Sequence, residues 1–246
     1  MDFEPGEIRA IIDTFSYSTF IPKSISNEII SKCKSMQNEY ENEKLKDYRV
    51  YSFGAKTSNR EIVKNIEDIS NSIYNKKKIK FDYYKYELNP RLNNVNTGER
   101  VISPFDIVYQ LQEMYVVGLK DGKSNLYTYR LDRMKNIKEL NEKVTEKVSD
   151  KDIDEFIKST VSMFGSRGED IEIICDMALL DNVIDLFGEG STIRKYDENS
   201  FYLKTNKDLE GFKRYILRNL DMIKIVKPVK LKNEIDTIVK NYLKNK

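Results

Sequence analysis

The chain is 246 residues long, with 39% hydrophobic and 33% charged residues and a formal net charge of +2, a composition that supports buried cores and argues against disorder. With no histidine and only two cysteines, it excludes imidazole-based triads, imidazole pH switches, His-containing zinc sites and a structural zinc held by thiolates. No Gly-x-x-x-x-Gly-Lys-Ser/Thr or Gly-x-Gly-x-x-Gly run occurs, no apolar run approaches the ~20 residues of a membrane span, and the carboxylates form no recognisable acid/base constellation, so the expectation is a protein without catalytic residues, cofactor or metal.

The first elements read as helices. Ile8, Ile11, Ile12 and Phe15 fall at i, i+3, i+4 and i+7, the spacing of one buried stripe. After the break at Phe20-Ile21-Pro22, the residues Ile25, Ile29, Cys33, Met36 and Tyr40 continue at similar spacing. A polar connector, Glu41 to Lys56, leads to Ser58-Asn59-Arg60-Glu61, a capping-box pattern. Ile62, Ile66, Ile69 and Ile73 then share one face of a third helix, which ends at Lys76-Lys77-Lys78, where cations suit the negative end of the dipole. The N-terminal sequence lacks the basic and apolar regions of a signal peptide. Cys33 and Cys175 sit far apart in apolar patterns and read as reduced core thiols, which places the chain in the cytoplasm.

The period then changes from 3.6 to 2. Ile79–Tyr86 alternates as a strand. A turn-rich stretch from Asn89-Pro90 to Asn96-Thr97-Gly98 precedes a strand ending at Tyr109; Leu111–Glu113 forms a hairpin into Met114–Leu119, and Asp121-Gly122 turns into Leu126–Leu131. Ile137 to Leu140 closes the set. Five short strands in about 60 residues suggest a small half-open barrel.

A helix from Asp150 to Met163 bridges to the last region. There the pattern gives strand Ile171–Met177, helix Leu179–Phe187, strand Thr192–Tyr196, a hairpin at Asp197-Glu198-Asn199, and strand Phe201–Thr205. Helix Leu209–Asn219 and strand Met222–Val226 follow. That order is βαββαβ, the split arrangement of a ferredoxin-like fold. A final helix carries Leu231, Ile235, Ile238, Val239 and Tyr242 on one stripe. The fold class is α+β. Charge is uneven along it: residues 204–246 hold 12 Lys/Arg against 5 Asp/Glu, whereas residues 1–47 hold 6 against 9. Such runs serve either as solvated helix surfaces or as a face for a polyanion.

The segment Ile79–Leu140 resembles the WYL domain, named for a Trp-Tyr-Leu tripeptide on its third strand. Met114-Tyr115-Val116 stands in that position, Ser103-Pro104-Phe105 resembles the family's Pro-Tyr segment, and Tyr129-Arg130-Leu131-Asp132-Arg133-Met134 resembles its Arg-Leu-Asp-Arg-Ile signature. The resemblance implies a helical linker over 1–78, an Sm-like or SH3-like barrel over 79–148, a connecting helix over 149–168, and a ferredoxin-like C-terminal extension over 169–246. The chain departs from the family in having no tryptophan. It also shows no winged helix-turn-helix ahead of the linker; either Met1 follows a removed module or the natural protein lacks one.

Candidate site residues concentrate at the signature. Arg130 and Arg133 either pair with Asp132, Asp106 or Glu139 to hold the sheet, or present guanidinium forks to phosphate oxygens. Strand alternation puts Arg130 on a face with Thr128 and Leu126, opposite Tyr127, Tyr129 and Leu131. Among Tyr83, Tyr84, Tyr109, Tyr115, Tyr127 and Tyr129, most are packing residues. Tyr115 and Tyr83 are the candidates for stacking on a base, with Tyr129 beside them. Ser103 and Asp106 either bond a ligand or satisfy strand ends. The lysines at 76–78 and 80 read as a solvated cluster. Arg214 and Arg218, one turn apart on a helix, are secondary candidates, because the family's C-terminal extension contributes basic residues to effector binding.

The resemblance implies the sensing part of a bacterial transcriptional regulator. A nucleic-acid or nucleotide-like effector binds the barrel and shifts linker helices in a homodimer, and DNA is engaged only through an absent or partner helix-turn-helix, with no membrane involved. Two other readings stand beside it: an accessory protein that binds single strands and modulates a partner such as a defence nuclease, and a dimerisation module. The N-terminal stripes also suggest more apolar surface than a linker buries on itself, leaving some for a second copy.

Overall fold

Helix α1 (Pro5–Tyr17) starts with proline in its first turn, where a missing N–H costs nothing, and buries Ile8 and Ile12 against Ile30 and Cys33 of α2 (Lys23–Ser35). In this computed structural model, residues 3–36, 43, 56–88, 92–110, 112–160, 168–188 and 190–245 are described; most of the expected connector, Tyr40, and the ends of the turn at Asn89-Pro90 and of the helix at Met163 lie outside them. The chain divides into two units, Met1–Lys147 and Val148–Lys246. Lys56 ties α1 to α2, its Nζ donating to the carbonyls of Phe15 (3.1 Å) and Ser18 (2.6 Å) and to Ser26 Oγ (3.2 Å). Its cation thus meets the negative end of α1, and burial lowers its pKa.

The capping box expected at Ser58 and Glu61 does not form. Helix α3 (Ile62–Tyr74) has Glu61 at its N-cap, and Asn59 Oδ1 accepts from the Glu61 N–H at 2.9 Å instead. Asn59 is buried because its amide faces inward, and a short polar side chain hydrogen-bonding the backbone two residues on is a normal helix entry. The stripes of α1 and α3 find cover within the unit. Of the stripe residues, Ile8, Ile12, Ile62 and Ile69 are wholly buried and Met36, at the end of α2, is exposed; outside the stripes Tyr17 on α1 and Val63 and Tyr74 on α3 are exposed.

Five antiparallel strands follow, β1 (Lys77–Leu88), β2 (Leu92–Gln110), β3 (Glu113–Lys120), β4 (Leu126–Arg130) and β5 (Met134–Lys143), in the order β4-β3-β2-β1-β5. A short 3-10 helix, Leu131–Arg133, joins β4 to β5. The first two strands are long rather than short, and the stretch Asn96-Thr97-Gly98, expected as a turn, lies inside β2. It forms a bulge opposite Tyr83, in which Gly98 takes φ +102°, Thr97 Oγ1 donates to the Tyr83 carbonyl and Asn96 Oδ1 accepts from the Gly98 N–H. A second bulge follows Pro104, where a residue without an N–H fits. Opposite it, a side chain on Gly118 would put its Cβ 2.7 Å from the Ser103 carbonyl oxygen, so the two strands approach each other only around glycine. α3 ends at Tyr74, just before the lysine cluster; Lys77 and Lys78 already belong to β1, where Lys77 lies on Glu139 (2.7 Å), Lys78 on Asp121 (2.8 Å) and Lys80 on Glu99 (3.1 Å).

In the second unit, α4 (Asp150–Ser159) opens with a capping box between Ser149 and Asp152. Then come β6 (Glu169–Asp176), α5 (Leu180–Phe187), β7 (Thr192–Lys195), β8 (Ser200–Lys207), α6 (Leu209–Arg218), β9 (Ile223–Lys227) and α7 (Val229–Lys244). Its sheet is antiparallel in the order β7-β8-β6-β9. One face, with Ile171, Ile173, Cys175, Phe201 and Leu203, is packed under the helices by Val183, Phe187, Phe212, Ile216, Leu231 and Ile235. Both cysteines are free and buried. Among the described residues no helix is long and apolar enough to cross a membrane.

Candidate functional site

Two faces of the first sheet carry different chemistry, and strand register sorts them. On the core side Phe81, Tyr83 and Tyr129 meet edge to face, with centroids 5.3–6.2 Å apart, beside Val116, Leu131 and Met134. Tyr83 and Tyr129, expected near a ligand, are buried here as core packing. On the opposite side Glu113 lies across from Gln110, and Tyr115 across from Arg130. Tyr115 is buried as well, so neither of the two candidate stacking tyrosines presents an open ring.

Arg130 is held by two carboxylates. Its Nε and Nη2 reach Asp132 Oδ1 and Oδ2 at 3.0 and 2.9 Å, the bidentate fork of guanidinium and carboxylate, and Nη2 lies 2.6 Å from Glu113 Oε1. Burial works against the Arg130 charge, but the hydrogen bonds and charge of Asp132, with Glu113 behind them, more than offset it and hold its pKa above the ordinary guanidinium value. Glu113 fares the other way. Burial raises its carboxyl pKa, the Arg130 charge pulling only partly back. Its Oε1 also accepts from Thr19 Oγ1 at 3.1 Å, and the same hydroxyl is 3.0 Å from the Gln112 carbonyl, which pins the α1–α2 corner to the β2–β3 turn. Glu113 Oε2 and Gln110 Oε1 are buried without a hydrogen-bond partner.

Arg133 stands differently. Among the described residues it has no ion-pair partner, and its Nε is buried without an acceptor. Its guanidinium carbon lies 6.0 Å from the ring centroid of Tyr86, which is 61% exposed. Next to it Lys135 Nζ lies 4.7 Å from the Tyr84 centroid. The turn that carries Arg133 is gripped from α3 and the loop before it: Asn59 Nδ2 donates to the carbonyls of Asp132 (3.0 Å) and Met134 (3.1 Å), and Asn65 Nδ2 to those of Leu131 (3.3 Å) and Met134 (3.0 Å). Two buried amides thus satisfy carbonyls that a tight turn leaves open.

The structure brings Arg130, Arg133, Tyr115 and Tyr83 together, with the Arg130 N–H 3.4 Å from Tyr83 Oη. It does not bring in Ser103 or Asp106, and Tyr129 stays in the core. Ser103 is buried and donates to Glu146 Oε2 at 3.0 Å, paired with Leu119 four residues along β3 from Tyr115. Asp106 is exposed and accepts from the N–H of Ile107. Arg214 and Arg218 are exposed on α6 of the other unit. Sequence reasoning missed Glu113, Gln110, Thr19, Tyr86 and the two asparagines. Glu113 was within reach, since it precedes Tyr115 by two and shares its face; Asn59 and Asn65 sit on helical and loop patterns that give no hint of a turn 66–75 positions away.

Residues 64–139 match the WYL domain model, so the chain contains a WYL domain from α3 through most of β5. The solved structures that resemble the chain include two that cover different shares of it. One is proteasome accessory factor B/C (PafBC) of Arthrobacter aurescens, at 15% identity and a TM-score of 0.28, covering 73% of this chain and 26% of that one. The other is a CRISPR Cas-related protein, at 13% identity and a TM-score of 0.44, covering 92% and 65%. This chain therefore spans about a quarter and about two thirds of their lengths. No curated protein matches the sequence.

Proposed function

We propose that the chain is the sensing part of a WYL-domain transcriptional regulator, and that its effector is a nucleic acid or nucleotide-like molecule bound at Arg133. In this reading the first sheet is an Sm-like barrel, supported by the strand order and the 3-10 turn between its last two strands, and the second unit is ferredoxin-like, supported by its βαββαβ order. The reading involves no catalytic step. The observation that carries it is the contrast between the two arginines. Arg130 is already saturated by Asp132 and Glu113, whereas Arg133 holds a buried N–H with no acceptor beside an exposed ring. A phosphate oxygen supplies that acceptor, and Tyr86 offers a face on which a base stacks.

Thr19 gives the signal a route. Any ligand that shifts Arg130 also shifts Glu113, and with it the corner between α1 and α2. A homodimer belongs to the proposal on the ground that symmetric dimers are the commonest soluble oligomers; a strict monomer by light scattering at tens of micromolar removes it. DNA is then engaged through a helix-turn-helix module joined to or partnered with this chain. The test is fluorescence anisotropy with short single-stranded oligonucleotides across a salt series. Binding should weaken with salt, with a log–log slope of about 0.7 per phosphate contacted, and Arg133→Ala should weaken it without changing the melting temperature. Equal binding by Arg133→Ala at low salt sinks the site.

A further inference from the structure

Among the described residues of the second unit, the helices pack on one side of its sheet. Its helices pack on Ile171, Ile173, Cys175, Phe201 and Leu203, and by strand alternation the residues between these point the other way. Register sets them in rows. Arg194 pairs with Tyr202, Tyr202 with Ile174, and Ile174 with Lys224, one residue from each of the four strands. The adjacent row runs Thr192, Lys204, Glu172, Lys227. With neighbouring strands about 4.8 Å apart, a row spans about 14 Å.

Charge on these two rows is one-sided. Arg194, Lys204, Lys224 and Lys227 are exposed, against the single carboxylate of Glu172. That carboxylate is shared, at 4.0 Å from Lys204 Nζ and 3.5 Å from Lys227 Nζ. Lys224 has no ion-pair partner among the described residues. The Arg194 guanidinium lies 5.9 Å from the Tyr202 ring centroid, so the aromatic at the middle of the face already accepts a flat cation. Asp170 and Asp176 close the two ends of β6, one bonded to Asn206 Nδ2 and the other to the Ala178 N–H.

We propose that this open sheet face binds single-stranded nucleic acid, independently of the Arg133 site. Backbone phosphates lie along the Arg194–Lys224 row with Lys204 and Lys227 beside it, and one unpaired base stacks on Tyr202. Charge complementarity selects a polyanion. The ring at the centre of a flat face selects an unpaired base over a duplex, whose bases are stacked on one another; four-stranded sheets that present aromatics to splayed bases work in this way.

The experiment is anisotropy of the full chain with a fluorescein-labelled single-stranded RNA of about 12 nucleotides, its DNA counterpart, and a duplex competitor, with Arg133→Ala run in parallel. Tyr202→Ala should weaken binding about tenfold, as loss of one stacked base does, while Tyr202→Phe keeps it. Arg194→Ala with Lys224→Ala should lower the salt slope by about 1.4, two phosphates' worth, with the melting temperature unchanged. Binding that persists in Arg133→Ala and falls in the sheet variants supports this face and removes the Arg133 site. Binding that falls only in Arg133→Ala does the reverse. Absence of binding by the wild-type chain, or equal competition by duplex, overturns the proposal.

Discussion

Arg130 and Arg133 are three positions apart, yet their substitutions should have opposite signatures. Arg130→Ala leaves Asp132 and Glu113 facing each other with side chains 10% and 14% exposed. Each stranded group costs about 1–3 kcal/mol, which should lower the melting temperature by about 2–4 °C per kcal/mol. Arg133→Ala removes no ion pair, only a ring contact at 6.0 Å and a buried N–H without an acceptor, and should leave the melting temperature within about a degree of wild type. Glu113 supplies a pH test. Its raised pKa means that the folded state holds the proton more tightly than the unfolded chain, so its contribution to stability falls as pH rises from the ordinary carboxylate value through the raised one. Glu113→Gln cannot ionise, and its stability relative to wild type should therefore improve between pH 4 and pH 7; denaturation midpoints at the two pH values decide it, and a constant difference refutes it. Burial pushes the Cys175 thiol up to about 12 and raises that of Cys33. Neither should react with a thiol reagent at neutral pH until the chain is unfolded.

Among the elements, the turn between β4 and β5 depends on two residues 66–75 positions away. Asn65→Leu keeps the volume of α3 but withdraws an amide from the Leu131 and Met134 carbonyls, and should destabilise the first unit by about 1–3 kcal/mol, read as a shift in the urea midpoint at constant slope. Gly118→Ala should fail for a different reason, the new Cβ meeting the backbone oxygen of Ser103 at 2.7 Å. How much of this was legible varies by element. β6 to β9 were readable almost to the residue, because each alternates and the Asp197-Glu198-Asn199 turn separates two of them. β2 was not. Its first half carries Asn93, Asn94, Asn96 and Thr97, polar at successive positions, and from Asn94 to Glu99 it is exposed, so no buried face imposes a period of two. The arginines stood out as charge among aromatics, but charge alone does not reveal which of them a pair of carboxylates has already claimed.

Taken whole, the molecule has separate cores. The cluster of the second unit shares no residue with the clusters of the first, and the division falls at Lys147–Val148. A fragment of residues 148–246 should therefore fold alone, with a cooperative thermal transition and the helical content of α4 to α7; a molten or unfolded fragment by circular dichroism contradicts this. The grip on the β4–β5 turn has a further consequence at this scale. Asn59 and Asn65 hold main-chain oxygens, which every residue type possesses, so the loop keeps its course whatever side chain occupies position 133. Descendants of this sequence are free to exchange the arginine for an amide, a hydroxyl or an aromatic ring without renegotiating the fold. On the proposed reading, what the molecule responds to drifts one codon at a time while the way it responds is inherited intact.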